Sequence, residues 1–177
     1  MQKLKFLRPA ISLVVITVGI ALLLSLVNFI TKDKIAENEL QKKNEAIADI
    51  FGDGVTSEEK ELSSPIETVS SAGKVLNSDG SLLGYWVQVE PVGFKANIVM
   101  IIGFDTNDKI VGVRGISSSE TAGLGTKATS ESHLNKFIGA AESDVIDTVS
   151  GATISSKAVQ NGIDNAFLAV KILKEVK

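Results

Sequence analysis

Residues 96–116 read ANIVMIIGFDTNDKIVGVRGI, and the predicted architecture is built outward from this run. Residues 96–104 are apolar and rich in β-branched side chains, and the polar residues 105–108 then favour a turn. From 109 to 116 apolar residues alternate with small or polar ones, as in a strand with one buried face. Two such runs joined by a short polar turn predict an antiparallel hairpin.

The same two-residue period continues toward the N-terminus. Residues 83–90 (LGYWVQVE) alternate in the same way, and residues 91–93 (PVG) interrupt the run. Residues 77–81 (NSDGS) are typical of a turn, so residues 74–76 are the expected hairpin partner. Together these runs predict a small, mostly antiparallel sheet.

Helices are expected to flank this sheet. Near the C-terminus apolar residues recur every three or four positions, which predicts an amphipathic helix with Ser155 or Ser156 as its N-cap. Its apolar positions are Val159, Ile163, Ala166, Phe167, Val170 and Leu173. Residues 117–132 are rich in Ser, Thr and Gly and predict a loop, and 133–138 predict a short helix. The predicted fold class is therefore α+β.

Residues 10–30 (AISLVVITVGIALLLSLVNFI) form an uncharged apolar run. A helix of this length spans roughly 30 Å, the thickness of the hydrocarbon core of a bilayer. A cleaved signal peptide is the alternative, but its apolar core is shorter, about 7–15 residues, and it precedes a small-residue cleavage site that this run does not have. We therefore expect a transmembrane anchor over residues 10–30, with Pro9 just ahead of it.

Charges next to the anchor predict its orientation. The tail, residues 1–9, carries Lys3, Lys5 and Arg8 and no acidic residue. Cations of this kind favour the cytoplasmic side of a membrane. We expect a cytoplasmic tail, a single pass through the cell membrane and an extracytoplasmic C-terminal domain.

Two linking segments follow the anchor. Residues 31–51 predict a helix that continues from the membrane anchor. Because its apolar stripe is thin, we expect a solvated stalk; a helix that binds a partner is the alternative. Residues 52–54 (GDG) end this helix, and the polar run 56–64 predicts a loop or a short helix. The chain is therefore divided into a juxtamembrane segment over 31–63 and a C-terminal domain over 64–177.

Composition removes several classes of function. The chain has no Cys, which excludes disulfides, Cys-ligated iron–sulfur clusters, c-type haem attachment and Cys nucleophiles. His133 is its single histidine, so a multi-His metal centre is excluded and no metal site is expected. A net charge of −3 without a basic stripe argues against a nucleic-acid partner. Redox or group-transfer chemistry must then come from a bound organic cofactor, or from Ser, Thr and carboxylates.

Two polar segments could hold such chemistry. Residues 147–157 (DTVSGATISSK) place a hydroxyl just before the last helix, whose N-terminus suits a phosphate; an ordinary capping loop is the alternative. Residues 119–127 (SETAGLGTK) contain Gly123 and Gly125, which permit close approach of the backbone to a flat group; a flexible surface loop is the alternative. Composition alone does not choose between these alternatives.

Taken together and in this order, the two segments resemble the FMN-binding domain family, in which a flavin is attached through its phosphate to a Thr side chain. The resemblance also covers the N-terminal anchor, the G-Y-W strand at 84–86 and the GFDTNDKIVG hairpin at 103–112. It is specific because the E-T-x-G-L-G loop and the D-x-x-S-G-A-T-x-S-S motif occur together. Within the family, the resemblance is strongest with the G subunits of Rnf-type electron-transport complexes.

The resemblance implies a covalent FMN site. Thr153 would carry the FMN phosphoryl group, which a dedicated flavin transferase would take from FAD. The other residues of the acceptor motif are Ser150, Gly151, Ala152 and the recognition acid Asp147. The loop residues expected against the isoalloxazine ring are Glu120, Thr121, Leu124 and Gly125. This chain departs from the family pattern at Ala122, where Pro is usual, at Thr148, and at 94–96, where the turn is usually richer in glycine.

The resemblance also implies an activity. The chain would be an electron-carrying component of a membrane ion-translocating ferredoxin:NAD oxidoreductase, acting with other membrane subunits and not as a complete enzyme alone. One alternative is the C subunit of the sodium-translocating NADH:quinone reductase, whose chains are usually longer. Another is a non-catalytic extracytoplasmic domain that binds a small phosphorylated ligand without covalent flavin.

Four further side chains carry expectations. Tyr85 or Trp86 could stack on the flavin, but adjacent strand residues face opposite ways, so both are not expected to do so. Lys127 and His133 are expected to be solvated surface residues.

Overall fold

The computed structural model describes residues 3–142 and 144–175, with side chains from residue 9 onward. The first two residues of the predicted tail, Ser143 and the last two residues lie outside this description, as do the side chains of Lys3, Lys5 and Arg8. The elements are α1 (Lys3–Phe51), β1 (Thr56–Lys60), β2 (Val69–Leu76), β3 (Leu82–Val89), β4 (Ile98–Asp105), β5 (Ile110–Ser118), α2 (Glu131–Leu134) and α3 (Thr153–Glu175). Short 3₁₀ turns occur at Gly125–Lys127 and Asn135–Phe137.

The chain divides into two compact units, Met1–Gln41 and Lys42–Lys177. The first consists of most of α1, and the described side chains from residue 9 to residue 41 are exposed. Within the described residues, α1 is the one helix that is long and apolar enough to cross a membrane. It begins at Lys3, so Pro9 lies inside the helix, and the expectation that Pro9 precedes it is wrong. The apolar N-terminal helix has the properties of a membrane anchor.

The predicted end of α1 is confirmed. The helix continues without a break through residues 31–51 and ends at Phe51. Gly52, with φ of 95°, takes the left-handed backbone conformation that commonly follows a helix, and its N–H donates to the Ala48 carbonyl at 2.8 Å.

The second unit contains a five-stranded sheet whose spatial order, β1-β2-β3-β4-β5, is also the chain order. Every neighbouring pair is antiparallel, so the predicted antiparallel sheet and the α+β class are confirmed. Turns at 77–81 and 105–109 connect β2 to β3 and β4 to β5, as the sequence predicts. The hairpin partner expected at 74–76 is longer and begins at Val69.

The loop or short helix expected over residues 56–64 is wrong, because β1 occupies Thr56–Lys60. Its residues TSEEK have no apolar alternation, so the strand is defined by backbone pairing with β2, in the register Thr56 with Leu76 and Lys60 with Ala72. Charged side chains on an edge strand discourage pairing with other molecules.

One face of the sheet packs against the last turns of α1. The buried residues of this small cluster are Ala46, Ile47, Val75, Trp86 and Ile101. A Cβ on Gly103 would approach Ile50 Cγ2 to 2.5 Å and Phe51 Cε2 to 2.8 Å, so the sheet surface is flat where the helix lies on it. The expectation of a solvated stalk over residues 31–51 is therefore wrong for its last turns.

The opposite face packs against α3 and forms the main core. Tyr85, Val87 and Val89 of β3 alternate with residues of the other face, as a strand period requires. Phe104 and Phe167 meet edge to face, with ring centroids 5.0 Å apart. This packing fixes the body of α3, whose first residue is Thr153, against the sheet.

The short helix expected at 133–138 is present as α2 and the following 3₁₀ turn. His133 is only 3% exposed, so the expectation of a surface histidine is wrong. Its ring packs edge-on against Phe137 at 5.8 Å, and its Nδ1 has no hydrogen-bond partner among the described residues. Burial, with the nearby Lys136 charge, lowers the pKa of His133 below its ordinary 6.5. The imidazole is therefore neutral at pH 7.

Candidate functional site

A cleft lies where three chain segments meet: the turn after β3, the loop after β5 and the start of α3. Its volume is about 320 Å³, and its wall is mostly apolar. The lining residues are Phe94, Thr121, Leu124, Gly125, Gly151, Ala152, Thr153, Ile154 and Ser155. The structure thus brings together the two segments that the sequence motifs single out.

Thr153 is the first residue of α3, and its side chain is exposed at the edge of the cleft. The expectation that Ser155 or Ser156 caps the helix is wrong, because both are buried inside its first turn. Ser156 Oγ instead accepts a hydrogen bond from the Val149 N–H at 3.0 Å. Ala152 precedes the helix and provides no capping side chain, so the Thr153 hydroxyl stands at an open helix end.

The segment just before Thr153 forms a tight turn. The Ala152 N–H donates to the Val149 carbonyl at 2.9 Å, and Gly151 has φ of 79°, a conformation that favours glycine. Ser150 and Asp147 are exposed, and neither forms a hydrogen bond or an ion pair within the residues that the structure describes. Asp147 is therefore open to a partner molecule.

Glu120 is turned away from the cleft and into the protein, with only 7% of its surface exposed. Its Oε2 accepts a hydrogen bond from Ser155 Oγ at 2.7 Å. Its Oε1 accepts from the backbone N–H of Lys95 at 3.0 Å and of Ala96 at 3.4 Å. The carboxylate therefore joins all three segments that form the cleft, and Ser155 and Gly125 lie between it and the cleft.

These hydrogen bonds stabilise the ionised form of Glu120. Burial alone raises the pKa of this carboxyl, but the hydrogen bonds from Ser155 and from the backbone N–H groups of Lys95, Ala96 and Phe94 outweigh burial and lower the pKa below its ordinary 4.5. The group is ionised at neutral pH.

The loop after β5 presents Thr121, Leu124 and Gly125 to the cleft. Its bend is stabilised by the Gly123 N–H, which donates to Thr126 Oγ1 at 3.0 Å. The predicted loop over 117–132 is correct in the main, although β5 extends to Ser118, a 3₁₀ turn occupies Gly125–Lys127 and α2 begins at Glu131. Lys127 is exposed, as expected.

Two cleft residues, Phe94 and Ile154, are not among the site residues that the sequence predicts. Phe94 is 67% exposed and Ile154 is 55% exposed, and both line the cleft. A large apolar side chain directly after a strand-ending Pro91–Val92–Gly93 turn was the available signal for Phe94. Tyr85 and Trp86 are buried on opposite faces of the sheet and are not among the lining residues.

The residues present fit a flat apolar group that carries a phosphate. The cleft volume falls in the range of about 300–1,000 Å³ that is typical of small-molecule sites. Apolar side chains of Phe94, Leu124 and Ile154 offer contact area to a ring system. The first backbone hydrogen bond of α3 runs from the Ser156 N–H to the Ala152 carbonyl. Within the described chain the N–H groups of residues 153–155 have no hydrogen-bond partner, and free N–H groups at a helix N-terminus favour an anion.

Comparison with known families agrees with this arrangement. Residues 93–167 match the model of the FMN-binding domain, a range that includes every segment of the cleft. Residues 1–50 match the model of the RnfG N-terminal region, which coincides with α1. The two matches together cover most of the chain. Residues 93–167 are therefore identified as an FMN-binding domain.

Over most of its length the chain is similar to G subunits of ion-translocating complexes. It is 27% identical over 171 residues to the G subunit of the ion-translocating oxidoreductase complex of Methanosarcina acetivorans, covering 90% of this chain and 91% of that protein. It is 27% identical over 176 residues to the G subunit of the Na⁺-translocating ferredoxin:NAD⁺ oxidoreductase complex of Acetobacterium woodii, covering 86% and 85%. The corresponding protein of Buchnera aphidicola is 36% identical over 105 residues, about half of each chain.

Proposed function

We propose that this chain is the FMN-carrying subunit of a membrane ion-translocating oxidoreductase complex, with the flavin esterified through its phosphate to Thr153. The observation that carries the proposal is the position of the Thr153 hydroxyl. It lies at an open helix N-terminus, on the rim of an apolar cleft, inside the region that matches the FMN-binding domain. A phosphoryl group attached there would meet unpaired helix N–H groups.

Attachment requires a second protein, a flavin transferase that uses FAD. The Thr153 oxygen attacks the phosphorus on the FMN side of the FAD pyrophosphate, the bridging P–O bond breaks, and AMP leaves. The hydroxyl proton is released to a base on the transferase or to water. Asp147 and Ser150, which are exposed next to Thr153, are available for recognition by that enzyme.

Bound FMN supplies one- and two-electron chemistry that no side chain of this Cys-free chain supplies. Phe94, Leu124 and Ile154 would hold the ring in the cleft, and the ester to Thr153 would keep it attached outside the cytoplasm. Electrons pass from and to neighbouring membrane subunits, so the chain is one relay station of a ferredoxin:NAD oxidoreductase and not a whole enzyme. The name of the M. acetivorans relative supports a subunit of an ion-translocating oxidoreductase complex, and the name of the A. woodii relative supports ferredoxin and NAD as the redox partners of that complex.

The match to the RnfG N-terminal region favours the role of an Rnf-type G subunit over that of the C subunit of a sodium-translocating NADH:quinone reductase. The three cations of the N-terminal tail support a cytoplasmic tail. The one candidate spanning helix among the described residues supports a single membrane pass, which would place the FMN domain outside the cytoplasm.

Flavin fluorescence in a denaturing gel tests the attachment. We expect the full chain, co-expressed with a flavin transferase, to give a fluorescent protein band under ultraviolet light. Thr153→Ala removes the acceptor oxygen, so its band should be dark. Thr106→Ala, which alters an exposed turn outside the cleft, is the matched control and should fluoresce like the wild type. A wild-type band that stays dark with the transferase present would leave only a binding domain without covalent flavin.

A further inference from the structure

We propose that Glu120 is a positioning residue, which fixes the first turn of α3, and with it the Thr153 hydroxyl, before any flavin is attached. This inference rests on the proposed function of Thr153. It assigns to Glu120 a different role from the ring contact that the loop motif implies. The carboxylate acts through Ser155 and is not itself part of the cleft wall.

The first support is connectivity. The hydrogen bond from Ser155 joins Glu120 to a residue 35 positions later in the chain, and those from Lys95 and Ala96 join it to a turn 25 and 24 positions earlier. Among the described residues no other side chain hydrogen-bonds to both the turn after β3 and the start of α3. Without Glu120 the three walls of the cleft lose their shared polar contact.

The second support is the space made for the carboxylate. A Cβ on Gly125 would collide with Glu120 Oε2 and would approach Ser155 Oγ to 3.1 Å. A Cβ on Gly93 would collide with Glu120 Oε1. Glycines therefore stand on two sides of the same carboxylate, and the backbone packs directly around it.

The third support is the cost of burial. An ionised carboxylate is expensive to bury unless it is well hydrogen-bonded or paired. Glu120 has no ion-pair partner among the described residues, and its charge is balanced by one hydroxyl and backbone N–H groups. The bond from Ser155 Oγ is short, at 2.7 Å, and charge-assisted hydrogen bonds restrict the geometry of the groups that donate them. Ser155 is two residues after Thr153 in the same helical turn, so fixing Ser155 also fixes the acceptor.

Three variants of the full chain separate positioning from general stability. Glu120→Ala removes the carboxylate, and Ser155→Ala removes only the bond to α3. Asn165→Ala is the control, because Asn165 also lies on α3 and the substitution removes its 3.0 Å hydrogen bond to Thr68, outside the cleft. Each variant is measured for melting temperature without flavin, for hydrogen exchange of the Lys95 amide, and for the rate of FMN attachment by intact mass with the transferase supplied.

We expect Glu120→Ala and Ser155→Ala to accept FMN about tenfold more slowly than the wild type, or slower still, because small misplacements of reacting groups have effects of this size or larger. Asn165→Ala should accept FMN at the wild-type rate, even if its melting temperature falls as much as that of Glu120→Ala or Ser155→Ala. The Lys95 amide should exchange faster in Glu120→Ala and remain protected in Asn165→Ala.

Wild-type attachment rates in Ser155→Ala would overturn the positioning role and leave the proposed function intact. The same holds if Asn165→Ala slows attachment as much as Ser155→Ala does. If Glu120→Ala does not fold, Ser155→Ala, which changes no charge, still decides the question. Failure of the wild type to accept FMN would instead refute the proposed function.

Discussion

At the scale of single residues, the ionisation of Glu120 makes the stability of the folded protein depend on pH. The hydrogen bonds of Glu120 determine the direction of this dependence. Hydrogen bonds to the carboxylate lower its pKa in the folded protein below the ordinary 4.5, so ionisation stabilises the folded state. This contribution to stability is fully present above pH 4.5. It is lost as the pH falls through the lower pKa that Glu120 has in the folded protein.

The predicted result concerns the difference between wild type and Glu120→Gln in free energy of unfolding. The wild type should be the more stable protein at pH 7, and the difference should shrink as the pH falls below 4.5. Urea unfolding of both full-length proteins in detergent, at a series of pH values, measures it. A difference that does not change with pH would show that the charge of Glu120 contributes nothing.

The sequence could predict only those site residues that belong to a short local motif. Thr153, Gly151 and Leu124 stand in short motifs, and the structure brings these segments together. The inward direction of Glu120 was not predictable, because its partners Ser155 and Lys95 are distant in sequence and belong to other segments.

At the scale of elements, turns and alternation allowed the sequence to predict β2 to β5. The strand β1 was missed because a charged edge strand has no buried face to impose a period. The docking of the last turns of α1 was missed for a related reason. Its thin apolar stripe meets a sheet face on which Trp86 and Ile101 lie beside glycines, a complementarity that no single segment displays.

This docking predicts that Ile47 contributes to the stability of the second unit. Ile47 is 2% exposed in the cluster around Trp86, so Ile47→Ala should lower the free energy of unfolding by about 2–5 kcal/mol. Leu40→Ala, at an exposed position of the same helix, should change it by less than about 0.5 kcal/mol. Urea unfolding followed by the fluorescence of Trp86, the single tryptophan, measures both. Equal, small effects would contradict the docking.

At the scale of the whole molecule, the chain divides into the compact units Met1–Gln41 and Lys42–Lys177, and the FMN-binding domain expected over 64–177 stays a prediction. Periodicity could not locate this boundary, because α1 is continuous through it. The membrane orientation rests on the charges of the tail and has its own test.

Ser78 lies exposed in the turn between β2 and β3, and the chain has no native Cys. Ser78→Cys therefore introduces a single thiol in the C-terminal domain. A membrane-impermeant maleimide added to intact cells should label it, because the domain is expected outside the cytoplasm. Labelling only after the cytoplasmic face is opened would reverse the orientation.

The most direct measurement of the central claim is peptide mapping by mass spectrometry of the chain isolated from its native membrane. We predict that the peptide containing Thr153 carries the mass of FMN less one water, and that fragmentation places it on the Thr153 oxygen. A Thr153 peptide that is wholly unmodified in protein from that membrane would contradict the account.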